Sequence, residues 1–67
     1  MFIVVELQKH ANGTVANIVT DHATQAEAES KYHSVLAAAA VSELPCHSAI
    51  LVSEEGFPVA HQCYKHA

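Results

Sequence analysis

Six histidines and two cysteines, Cys46 and Cys63, stand out among 67 residues. Imidazole nitrogen and thiolate sulfur are the donors that zinc selects. Their spacing is uninformative: the chain contains no C-x-x-C, no H-E-x-x-H and no paired C-x-x-C…H-x-x-H pattern. The best local pair is His61 and Cys63, two positions apart in a segment that reads as a strand, and therefore on one face of it. The third ligand depends on hairpin register. A four-residue loop after residue 53 places Cys46 opposite Cys63, whereas a three-residue loop with a bulge at Gly56 places His47 there. The sequence thus defines a candidate zinc set of His61, Cys63, Cys46 and His47, weighed against ordinary packed thiols and solvated histidines. His10, His22, His33 and His66 fall at a turn, before a helix, on a helix surface and at the chain end, where imidazoles are commonly solvated.

A cysteine or histidine enzyme needs a nucleophile and a base together in a concave pocket, with a third group orienting the base. A chain this short has little room for such a pocket, so the expectation is a protein that is not an enzyme. Glu54-Glu55 reads as a solvated turn, and Glu27 with Lys31 as an i, i+4 helix pair. Tyr32, Tyr64, Phe2 and Phe57 read first as core. In a small-molecule binder with pockets between subunits, Tyr64 and Phe57 would be the stacking groups and His61 the polar one.

These side chains are carried by a ββαββ pattern, an α+β fold with an antiparallel sheet and one helix packed on one face. Residues 2–9 are rich in β-branched types and lead into Asn12-Gly13, where glycine supplies the positive φ of a three-residue hairpin loop. Residues 14–20 return antiparallel. Thr24 followed by Glu27 has capping-box spacing and predicts a helix from about residue 24 to 42. At 100° per residue Ala28, Tyr32, Val35, Leu36 and Ala39 form one stripe. Pro45 ends the helical segment, and residues 46–53 and 57–65 flank Ser-Glu-Glu-Gly as a second hairpin. Pro58 marks an edge strand.

Alternation along the strands gives two apolar faces. Ile3, Val5 and Leu7 oppose Phe2 and Val4; Val15 and Val19 oppose Ala16 and Ile18; Ile50 and Val52 oppose Ala49 and Leu51. One helix covers one face, so the other is expected to meet a second copy of the chain in a homodimer or higher homo-oligomer. We assign the self-association surface to Phe2, Val4 and Ile18 on the sheet, with Ala37, Ala40 and Val41 at the alanine-rich helix end.

Composition sets the outer bounds. The chain is 51% hydrophobic and 15% charged, which reads as a single globular domain over residues 1–67. Three lysines, no arginine and a net charge of −4 argue against nucleic acid as a partner. No apolar run reaches membrane-spanning length, and Met1–Val5 breaks at Glu6 without preceding basic residues, unlike a signal peptide. The expected compartment is the cytoplasm, with both cysteines as free thiols. No cofactor is called for unless the zinc set is real.

The segment Ala-Glu-Ala-Glu-Ser-Lys-Tyr-His-Ser-Val-Leu-Ala-Ala-Ala-Ala-Val-Ser (26–42), with Glu-Glu-Gly-Phe (54–57) and Gln-Cys-Tyr-Lys-His (62–66), resembles a group of short uncharacterised bacterial and phage-type proteins. The resemblance spans nearly the whole chain and implies a natural domain. That group carries no assigned activity, so it supplies no functional residue. It does imply, as an alternative, a mobile-element or host-interaction role in which a host protein is the partner.

Overall fold

The computed structural model describes residues 1–66. It contains β1 (Phe2–Lys9), β2 (Val15–His22), α1 (Gln25–Ala40), β3 (Cys46–Ser53) and β4 (Pro58–Lys65) in that order. The strands form one antiparallel sheet ordered β2-β1-β3-β4, so each hairpin contributes one central and one edge strand. This is the expected α+β, ββαββ fold. The helix lies across one face and links the two hairpins.

Both hairpins turn through three residues. His10 N–H donates to the Thr14 carbonyl at 2.8 Å, and Ser53 N–H to the Phe57 carbonyl at 2.9 Å. The third loop residue is glycine each time, with φ of 89° at Gly13 and 88° at Gly56, a region that side chains with a Cβ avoid. Thr24 caps the helix by accepting the Glu27 N–H at 3.2 Å. The Glu27 carboxylate accepts the Thr24 hydroxyl at 3.1 Å rather than reaching back to a backbone amide, so half of the expected capping box forms.

The helical stripe read from periodicity is the buried one. Ala28 and Ala39 are fully buried and let the helix approach the strands closely, while Tyr32 and Val35 pack over Val4, Ala49 and Leu51. Phe2, Leu36 and Ala60 border this core. Burial and the neighbouring Tyr64 push the Tyr32 phenol above its ordinary range.

Two features of the fold correct the sequence reading. Val4 is 1% exposed and Phe2 packs against the core, so both belong to the covered face and not to a self-association surface. Ile18 shares that face on edge strand β2 and stays exposed, whereas Ala37, Ala40 and Val41 are exposed at the helix end as expected. The uncovered face instead carries Ile3, Val5, Leu7, Val19, Ile50 and Val52.

The second correction concerns register in the β3-β4 hairpin. The three-residue loop alone would bring His47 opposite Cys63, but the ladder shifts between Leu51 and Val52. Val52 pairs with Pro58 and Leu51 with Ala60, leaving Val59 as an extra residue in β4. Beyond it Ile50 pairs with His61, Ser48 with Cys63, His47 with Tyr64 and Cys46 with Lys65. Neither Cys46 nor His47 lies directly opposite Cys63.

Candidate functional site

Three groupings of chemically capable side chains follow from this register. On the covered face, His47 is 4% exposed at the start of β3, under the segment that leaves the helix. Its Nε2 lies 2.6 Å from the Glu6 carboxylate on β1 and its Nδ1 3.0 Å from the Ser42 hydroxyl. A carboxylate only accepts, so Nε2 carries the proton and donates to Glu6, and in the neutral ring Nδ1 accepts from Ser42. Gln8, directly across from His47, donates its amide to the same Glu6 oxygen at 2.8 Å. Burial raises the Glu6 pKa, but the hydrogen bonds from Gln8 and His47, with the charges of His47 and Lys31, outweigh it and hold the carboxyl below its ordinary value.

Ser42, His47 and Glu6 are the residue types of a nucleophile, a base and an orienting acid. Their setting does not serve acyl transfer. Ser42 follows the carbonyl end of the helix, where the dipole opposes a developing oxyanion, and its own N–H is held by the Ala39 carbonyl at 3.3 Å. The described residues enclose no cavity beside it. The arrangement instead ties β1, β3 and the helix exit together. Sequence reading treated His47 only as a candidate ligand and overlooked Glu6 and Ser42. The available signal was parity: Glu6 shares a face with Phe2 and Val4, and a carboxylate on the covered face needs partners.

The second grouping is the uncovered sheet face. Running across it, Asp21-Ile3-Val52 form a row at one end, Val19-Val5-Ile50-His61 and Asn17-Leu7-Ser48-Cys63 the middle, and Val15-Lys9-Cys46-Lys65 the far end. Val19 is 60% exposed and Leu7 39%, on the same face as Ile3, Val5, Ile50 and Val52. Such a contiguous patch is uncommon on an isolated soluble chain.

The third is the thiol pair at the far corner of that face. Cys46 and Cys63 sit diagonally across the β3-β4 ladder with sulfurs 3.3 Å apart, and both are free thiols. The hydrogen bond to Cys46 is the main cause that pushes the Cys63 thiol up, with desolvation and the Cys46 charge adding to it and Lys65 opposing.

The candidate zinc set is divided by this geometry. His61, Cys63 and Cys46 share the open face, but His47 is on the other side, committed to Glu6 and Ser42. No cluster of three metal-ligating side chains forms among the described residues. The aromatic set is divided as well. Tyr64 faces the helix side and stacks on His66 with centroids 6.4 Å apart, Phe57 projects from the turn at 71% exposure, and His61 is on the open face. His66, expected to be solvated, also bonds through Nε2 to the Ala39 carbonyl at 2.8 Å and so closes the helix end.

No protein family, no curated protein and no solved structure matches this chain. Its function is therefore argued from the geometry. No helix among the described residues is long and apolar enough to cross a membrane.

Proposed function

We propose that the protein is a non-enzymatic homodimeric module whose two copies stack through their uncovered sheet faces. The single observation that supports this is the row of Val19, Val5 and Ile50, flanked by Ile3, Val52 and Leu7, on a face that no element among the described residues covers. A second copy of the same face is the occupant that suits it, for reasons of area and charge.

Four strands of eight residues, at about 4.8 Å between strands and about 3.3 Å per residue, make a face of roughly 26 by 19 Å. Covering it on both partners removes on the order of 1,000 Å² from water, about the least that a specific interface needs. Charge lies only at its ends, Asp21 at one and Lys9 with Lys65 at the other. A two-fold axis lying across the strands sets the acidic end of each copy against the basic end of its partner. The centre of the contact is then mainly hydrocarbon, from Val19, Val5, Ile50 and Leu7, with the polar Asn17, Ser48 and His61 beside them.

The test is solution mass by sedimentation at micromolar concentration. The expected species has twice the 7.2 kDa chain mass. Val19→Lys, exposed in the isolated chain, should weaken association at least about 100-fold by burying an unpaired ammonium. Ile18→Lys, its neighbour on the other face, should leave association unchanged. A wild-type protein that remains folded and monomeric at 100 micromolar, or an Ile18→Lys effect equal to that of Val19→Lys, overturns the reading.

A further inference from the structure

We propose that Cys46 and Cys63 form a reversible intramolecular disulfide that staples β4 to β3. The two sulfurs are already 3.3 Å apart in the dithiol, about 1.3 Å more than a disulfide bond requires. Their strands are paired on both sides, by Ser48–Cys63 and Cys46–Lys65, a diagonal that keeps the two side chains on one face of the sheet. Cys46 opens β3 and Cys63 is two residues from the end of β4, where the ladder can absorb the remaining adjustment. The pair lies at the corner of the open face beyond the central apolar row, Cys63 on edge strand β4 and Cys46 at the first residue of central strand β3, and Cys63 is exposed in the isolated chain. The inference does not depend on the dimer.

The oxidant is a low-molecular-weight disulfide such as oxidised glutathione. One protein thiolate attacks a glutathione sulfur, breaks the glutathione S–S bond and expels one glutathione thiolate, which leaves a mixed disulfide. The second protein thiolate attacks the protein sulfur of that mixed disulfide and expels the other glutathione thiolate. The protein loses two electrons, oxidised glutathione gains them, and the two protons released by the cysteines end on the two glutathione thiols. The second step is favoured over accumulation of the adduct because the attacking sulfur is already at van der Waals distance. The bond closes a loop across 17 positions of sequence, which raises the unfolding temperature by roughly 10–20 °C.

Reduced protein is equilibrated with glutathione buffers of increasing oxidised fraction, quenched with acid and read by intact mass, thiol titration and non-reducing electrophoresis. The expected product is a chain two mass units lighter with no cross-link to another chain, no free thiol and a higher unfolding temperature, reversed by a dithiol reductant. Cys46→Ser should instead stop at a stable glutathione adduct on Cys63. Persistent glutathione adducts on the wild type, chain-to-chain disulfides as the main product, or two thiols that stay free in fully oxidised buffer would each overturn the proposal. So would an oxidised form no more stable than the reduced one.

Discussion

Removing the Glu6 carboxylate should expose how much the His47 arrangement contributes to the fold. In Glu6→Ala the His47 Nε2–H, now 2.6 Å from its acceptor, is left buried without a protein partner, and Gln8 loses its acceptor as well. A hydrogen bond to a charged group contributes about 1.5–3 kcal/mol net, and breaking a fully buried ion pair costs about 3–5 kcal/mol. The Glu6 side chain is 14% exposed, so water reaches the vacated site and Gln8 can turn outward. The expected loss is therefore about 2–3 kcal/mol, or roughly 10–20 °C in unfolding temperature for a domain of this size. Urea unfolding followed by circular dichroism, at one fixed protein concentration so that association does not intrude, measures it. Glu6→Gln keeps a neutral acceptor and should lose about half as much. The pH dependence has a definite sign. The folded carboxyl titrates below its ordinary value of 4.5, so its stabilisation is fully present above that value and is lost as pH falls through the lower folded pKa. The gap between wild type and Glu6→Ala should accordingly be constant near neutrality and close in acid. A Glu6→Ala protein within about 0.5 kcal/mol of wild type at pH 7, or a gap that widens in acid, would refute this account of the network.

Other substitutions follow from single contacts. Thr24→Ala removes the acceptor of the Glu27 N–H and should cost about 1 kcal/mol in urea unfolding. Gly56→Ala meets no steric neighbour, so its loss of about 1–2 kcal/mol would come wholly from the positive φ; a neutral result would show that the turn relaxes. Tyr32→Ala empties the centre of the helix–sheet contact and should cost about 3–5 kcal/mol, seen as loss of cooperative thermal unfolding at room temperature.

Much of the fold was legible because its determinants are local and periodic. Gly13 and Gly56 marked turns, Thr24 and Glu27 marked a helix start, and the stripe from Ala28 to Ala39 is set by helical geometry whatever the helix packs on. The division of each strand into two faces was equally readable. Which face the helix would cover was not, since Phe2 with Val4 and Ile3 with Val5 are alike in hydrophobicity. The polar residue between them held a clue, because Glu6 is tolerated under the helix only through His47 and Gln8, and those partners lie in other strands. The thiol pair was hidden for a different reason. Pairing of β4 depends on the extra residue at Val59, which no local preference announces, and an error of one position there moves His61 and Cys63 to the opposite side.

That single additional residue acts as an address label for everything downstream of it. Were Val59 paired with Leu51 instead of bulged out, Cys63 and His61 would turn beneath the helix, Cys63 opposite the buried imidazole, and Tyr64 and Gln62 would point outward. That unbulged pairing would present thiol and imidazole to each other in a sheltered place and a phenol to water. In this architecture the chemistry on each face is set by whether one edge-strand residue is paired or bulged, without altering the identity of any residue.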